Sequence, residues 1–249
     1  MGVAKIITIS IETPDGKLPP ARVAIPDLPL GLADLVPPMQ KLCDGIVGLA
    51  LQRERKNGET ISCHKGCEKG LCCCQLVPLS PPEVFFLNDF LKGLPLEKKV
   101  KIEAAFQKIR EVMDQRGVTE KIRNIESTDE HQVIAYEYFR MGLPCPFLDE
   151  GACSIYPIRP FACREYNILS PSTLCADPFK KGIRKVKIPR SMTTATARLA
   201  AELNQTAPVL IPMPFALEWA RENAPFGNRR WSGIWLFERM MEFATGKEV

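Results

Sequence analysis

Five thiols fall within twelve residues of this chain, in the run Cys63-His64-Lys65-Gly66-Cys67-Glu68-Lys69-Gly70-Leu71-Cys72-Cys73-Cys74. Three more follow much later, at Cys145, Cys153 and Cys163. Thiolates repel one another, and a thiol must lose its proton to bind metal, so such crowding is most simply explained by a cation that neutralises it. Gly66 and Gly70 let the backbone turn tightly enough for several sulfurs to converge. All-sulfur donor sets suit an iron-sulfur cluster or tetrahedral zinc. An iron-sulfur cluster of the 4Fe-4S type is the leading expectation and zinc the alternative, with Cys63, Cys67, Cys72, Cys73, Cys74, Cys145, Cys153 and Cys163 as candidate metal ligands. Eight thiols suffice for one cluster with an exchangeable position or for two closed zinc sites.

Arg159 and Arg164 flank Cys163 and are the candidate cofactor-binding residues, since guanidiniums can donate to cluster sulfurs and offset thiolate charge. Ordinary carboxylate pairing is the competing role for both. His64 is either a further ligand or a solvated loop histidine, and His131 falls within a helical stretch apart from the thiols. Cys43 and Cys175 are expected to be bystander thiols, packed as small hydrophobes. Tyr156 and Phe161 are expected to cover the site.

The second group sits in Pro144-Cys145-Pro146-Phe147-Leu148, Cys153-Ser154-Ile155-Tyr156 and Arg159-Pro160-Phe161-Ala162-Cys163-Arg164. Those motifs resemble the PCPFL, C-x-IY and RP-x-x-CR pattern of the YkgJ family of cysteine-cluster proteins, described as a zinc- or iron-chelating domain. The resemblance covers about residues 60 to 166. It implies a metal site; some members are flagellin lysine methylases linked to an iron-sulfur cluster, while most have no established activity. An iron-sulfur oxidoreductase or a protein methyltransferase is therefore the activity it suggests, and a zinc-stapled binding module without catalysis is the alternative. The first segment departs from the family's C-x-x-C-x-x-C-C, because its intervals are three and four residues and a third cysteine extends the pair. Which two of Cys72, Cys73 and Cys74 correspond stays open.

The elements that must position these thiols read as follows. Ile7, Ile9 and Ile11 alternate with polar residues, Pro14-Asp15-Gly16 makes a turn, and Val23 and Ile25 resume the alternation, which predicts an N-terminal β-hairpin. A helix over Pro37 to Lys56 stops at Gly58. Ser80-Pro81-Pro82-Glu83 is a capping box with proline at the first helical position, starting a helix to about Lys92. Ile102, Phe106, Ile109 and Met113 mark one buried stripe on a helix from Leu96 to about Gln115. Ser127 and Glu130 repeat the capping spacing for a helix closed by Gly142. Prolines at 144, 146, 157, 160 and 171 predict an ordered loop without regular helix, for which metal supplies the organising contacts. Helical patterns return over Thr193 to Asn204, Pro214 to Asn223 and Trp231 to Thr245.

The fold class is therefore mainly α: a helical domain with an N-terminal β-hairpin and an irregular cysteine-rich metal-binding loop region. It reads as one domain over 1–249, divided into hairpin and helix (1–58), cysteine core (59–176) and C-terminal helices (177–249). The chain has 249 residues, 45% hydrophobic and 25% charged, enough to bury a core. No apolar h-region stands at the start and no stretch is long enough to span a bilayer, so a cytoplasmic protein with no membrane partner is expected, where clustered cysteines favour metal over disulfides. Net charge is +4. The basic run at 180–190, Lys180, Lys181, Arg184, Lys185, Lys187 and Arg190, suggests an acidic protein or nucleotide as partner, with a solvated face as the plainer role; nucleic acid is not the leading expectation. The radical-SAM spacing fails at Gly70, and nucleotide-loop, zincin, nucleophile-elbow and C-x-x-C motifs are missing.

Overall fold

The alternation of isoleucines lays one face of an antiparallel ribbon on the helical body. Lys5–Ile9 pairs with Ala21–Ile25, with Ile7 opposite Val23, and Glu12–Thr13 pairs with Gly16–Lys17 around the expected turn. The computed structural model of the chain describes residues 4–9, 12–63, 70–125, 128–179 and 182–245. Ile11 of the alternation and Ser127 of the expected cap lie outside them.

Ten α-helices stand among the described residues: α1 (Val36–Lys56), α2 (Pro81–Lys92), α3 (Leu96–Gln115), α4 (Val118–Arg123), α5 (Thr128–Arg140), α6 (Phe161–Glu165), α7 (Met192–Asn204), α8 (Ala216–Glu222), α9 (Ala224–Gly227) and α10 (Gly233–Thr245). The remaining described sheet is made of two-residue pairings, such as Trp231 opposite Leu30. The fold is mainly α, as the periodicity predicts. No helix among the described residues is long and apolar enough to cross a membrane.

Local chemistry sets the helix starts. Prolines occupy the first turn of α1 and α2, where the missing N–H costs nothing. The Glu83 carboxylate accepts from the Ser80 backbone N–H at 2.9 Å and from its hydroxyl at 2.8 Å, closing the expected box. The Ser191 hydroxyl accepts from Thr194 N at 3.3 Å to cap α7. Helix α4 carries too few residues to show a period. It follows Gly117, whose φ of 68° suits the residue without a Cβ.

Three apolar clusters hold the elements together. In the first, α1, α7 and α10 meet through Met39, Ile46, Leu199, Phe237 and Met240, joined by Phe85 of α2 and Phe161 of α6. The opposite side of α2, with Val84, Leu87 and Leu91, packs on Phe106, Phe147, Ile155 and Ile211 in the second. The third joins α3, α4 and α5 through Ile109, Met113, Val118, Ile134 and Tyr138. Each buried Leu, Ile or Phe contributes about 1.5–3 kcal/mol, so α2, which faces two clusters, is the central wall.

The proline-rich stretch differs from its expectation. It contains α6, a 3-10 turn at Tyr156–Ile158 and the strand pair Leu148–Asp149 with Ala152–Cys153. Its prolines sit where regular structure tolerates them: Pro160 is the N-cap of α6, and Pro157 lies in the first turn of the 3-10 segment.

Candidate metal centre

The second cysteine segment is assembled by a tight hairpin and then by α6. Glu150 and Gly151 both have positive φ, 47° and 77°, the requirement of a two-residue primed turn. That turn sets Cys153 opposite Leu148. Ser154 N donates to Phe147 O at 2.8 Å and Leu148 N to Cys145 O at 2.9 Å, folding Cys153 back toward Cys145.

Helix α6, which presents Cys163, is anchored from three sides. The Phe161 N–H donates to the second oxygen of Glu83 at 2.7 Å, so one buried carboxylate caps α2 and α6 together. Arg164, with a side chain only 5% exposed, donates to both oxygens of Asp44 on α1 at 2.7 and 2.6 Å, to Pro157 O at 2.5 Å and to Arg159 O at 2.9 Å. Glu165 accepts from Met192 N at 2.6 Å and from the Ser191 hydroxyl at 2.9 Å, tying α6 to the start of α7. Gln40 adds a bond from α1 to Ile158 O at 3.0 Å. Phe161 itself is fully buried in the first core.

The first segment is held by backbone contacts. Ser62 N donates to Ile168 O at 3.0 Å, and Ile168 N to the Cys63 Sγ at 3.3 Å. Gly70 begins a 3-10 turn, Leu71–Cys74, at a φ of 51°. A Cβ there would lie 3.1 Å from Leu148 Cδ1, so both conformation and close approach call for glycine. Cys145 N donates to Cys73 O at 2.6 Å, and this bond joins the two cysteine segments.

The thiols that result lie within electrostatic reach of one another. Burial pushes the Cys163 thiol well up, and Cys145, Cys153 and Cys72 raise it further. Burial takes Cys145 up to about 12, with Cys153, Cys72 and Cys74 adding. Cys153 and Cys74 are raised by burial. Within the adjacent pair, the Cys73 thiol donates to Cys72, which lowers Cys72 and raises Cys73; Arg159 also favours the Cys72 thiolate. Cys72 apart, these groups resist ionisation without a cation, and metal binding must release their protons.

Arg159 is the cation facing the thiols. It lowers both Cys72 and Cys153, its guanidinium lies 4.2 Å from the Tyr156 ring centroid, and its buried Nε has no hydrogen-bond partner among the described residues. Arg164 is spent on Asp44 and the loop carbonyls. The arrangement fits a soft metal group: sulfur donors from both segments, a guanidinium beside them and one donor atom without a partner. Among the described residues, no three His, Cys, Asp or Glu side chains form a ready coordination group. Cys67 and His64 lie outside the described residues.

Cys43 is buried in the first core, 3.9 Å from Glu165, with burial raising its thiol. Cys175 lies in the 3-10 segment Ser172–Ala176, which packs on the Leu71–Cys74 turn. Cys175, Cys63 and Cys72 all act on the Tyr166 hydroxyl, whose pKa is raised mainly by burial. Of the basic run, Arg184 is paired with Glu59 at 2.6 and 2.9 Å and Lys185 lies 4.9 Å over the Tyr166 ring; Lys180 and Lys181 lie outside the described residues.

Residues 62–178 match the model of the CxxCxxCC family, described as a putative zinc- or iron-chelating domain. No curated protein and no solved structure matches the chain.

Proposed function

We propose that this chain, which carries a CxxCxxCC domain over residues 62–178, is a metal-binding protein whose cysteines hold an iron-sulfur cluster. The observation that carries the reading is that Cys145 N donates to Cys73 O at 2.6 Å, joining two distant segments whose Cys72, Cys145, Cys153 and Cys163 act on one another. Four thiolates are the full complement of a 4Fe-4S cluster. A bound cluster supplies one-electron chemistry at a potential set by its charge and surroundings. Arg159 offsets thiolate charge on the open side, α6 fixes Cys163, and the Gly151 turn fixes Cys153. Electron transfer or methyl transfer to a protein in the cytoplasm is the activity proposed, with Lys187 and Arg190 steering an acidic partner.

Anaerobic purification, with iron, acid-labile sulfide and visible absorption measured on one sample, tests the reading. About four irons and four sulfides per chain with a broad brown absorption are expected. A colourless protein with stoichiometric zinc replaces the cluster by a zinc-stapled binding module, and protein without metal overturns both.

A further inference from the structure

Away from the thiols, a groove of about 550 Å³ runs between α4 and α5, a volume in the range of binding pockets. Its rim is acidic. Glu120 stands on the α4 side, and Asp129, Glu130 and Glu137 stand on the α5 side. Lys121 is the one cation of the lining among the described residues, and the Glu137 carboxylate accepts from it at 2.7 and 2.8 Å. On a chain of net charge +4 this is a local reversal of sign. The apolar lining is Ile134, buried in the third core, and Val133, which is 57% exposed. Apolar surface continues along α5. Tyr136, three residues beyond Val133 and so its neighbour on the helix, is 41% exposed, and its ring centroid lies 5.5 Å from that of the exposed Phe179. Phe139 adds a second ring contact to Phe179 at 5.9 Å. Single exposed apolar side chains are ordinary, whereas several together beside a groove mark an interaction surface.

We infer that the groove between α4 and α5, with the adjoining face of α5, docks a basic amphipathic segment of a partner protein, one in which Lys or Arg is interleaved with Leu or aromatic residues. Charge and shape select this occupant together. A Lys or Arg side chain matches both parts of the groove, its aliphatic stem on Val133 and its charged head among the carboxylates, while apolar neighbours in the same segment cover Tyr136 and Phe179. A metal ion does not fit: among the described residues no three His, Cys, Asp or Glu side chains form a coordination group, and a hard cation gains nothing from Val133 and Ile134. Nucleic acid and anionic lipid are repelled by the rim. The surface does not depend on the metal-binding reading, because none of its residues is a candidate ligand. It is nevertheless connected to the cysteines through the chain: α5 ends at Arg140, five residues before Cys145, so a partner held here sits on the helix that leads into the second cysteine segment.

The test uses the full chain and a short fluorescein-labelled peptide whose leucines and lysines occupy opposite faces of a helix. Anisotropy is expected to show saturable binding that weakens as salt is raised, and hydrogen exchange over residues 129–137 is expected to slow when the peptide is present. Replacing the peptide's leucines by alanine should weaken binding about tenfold or more, as should replacing its lysines by glutamate. On the protein, Asp129→Lys combined with Glu130→Lys should weaken binding about fivefold or more, and Val133→Asp should do the same. All three residues are exposed, so these variants keep the wild-type unfolding midpoint. Glu97→Lys, an exposed reversal on α3 outside the groove, should bind as wild type does. Equal binding of the alanine peptide, undiminished binding by the double reversal, a matching loss in Glu97→Lys, or protection that falls outside α4 and α5 overturns the proposal, and so does the lack of saturable binding.

Discussion

The two cysteine segments reach the same place by different means. Residues 144–166 are held by side chains from the helical body: Glu83 of α2 on Phe161 N, Asp44 and Gln40 of α1 on Arg164 and Ile158 O, and the Glu165 link to α7. Among the described residues, those at 62–63 and 70–74, with 172–176 packed on the latter, are joined to the rest by backbone hydrogen bonds and a glycine turn. Buried charge-assisted bonds cannot exchange for water without exposing a core, whereas surface backbone bonds can. The contrast points to one wall of the centre that is rigid before metal arrives and another that metal closes. Against the expectation that metal organises the proline-rich segment, its anchors to α1, α2 and α7 are side-chain bonds that involve no metal.

The largest effect falls on the residue that joins the rigid wall to α2. Glu83→Ala leaves the buried Ser80 N and Phe161 N without their acceptor and is expected to cost about 3–5 kcal/mol in denaturant unfolding. Its pKa is also a stability statement. Burial raises the Glu83 carboxyl from 4.5 to about 7 despite its donors, so folding favours the protonated form. That contribution is complete below about 4.5 and is lost as pH rises through about 7. Wild type should therefore lose stability relative to Glu83→Gln across that window. If the two variants show parallel pH profiles, Glu83 is not the buried joint.

Next in size is Arg164→Met, which keeps the aliphatic stem but leaves the carbonyls of Pro157 and Arg159 short of a donor. About 2–3 kcal/mol is expected. Metal content should survive in the folded fraction, because the guanidinium serves the frame rather than the metal. Loss of metal without loss of stability would return Arg164 to the cofactor role that its position beside Cys163 suggested.

Metal removal sharpens the comparison without mutation. Hydrogen exchange of residues 70–75 and 172–176 should speed up by roughly tenfold or more on stripping, while 161–168 keeps its protection. Equal loss in both stretches means that the second segment also depends on metal.

What the chain revealed beforehand follows the range of the interactions. Ser80 and Glu83 are three residues apart, so their cap was legible; the other Glu83 oxygen binds Phe161 N, 78 residues away, and nothing local signals that. Helix α3 showed its stripe from Ile102 to Met113, over about three turns, whereas α4 and α6 are shorter than a period can reveal. In α6 the surrounding prolines also argued for loop, although Pro160 at its N-cap is compatible with a helix start. The Asp149-Glu150-Gly151 turn carried a signal in its glycine. The packing of Ser172–Ala176 on the Leu71–Cys74 turn carried none, since the two segments meet only when the chain returns from about a hundred residues away.

The smallest effect separates two ion pairs of nearly equal length. Arg164 meets Asp44 at 2.6 Å with its side chain 5% exposed, and Arg184 meets Glu59 at 2.6 Å with its side chain 58% exposed. Distance alone would rank them together. Water screens the second pair, salt weakens it, and ordering two long side chains offsets what attraction remains. The first also satisfies the loop carbonyls of Pro157 and Arg159, the latter shared with Gln40 Nε2 at 3.3 Å. Arg184→Ala is therefore expected to leave the unfolding midpoint and the zinc content unchanged within measurement scatter, at low and high salt alike. A clear drop in metal content would mean that the Glu59–Arg184 pair helps to hold the Cys63 stretch against Ile168, and that the metal-closed wall has a side-chain anchor after all.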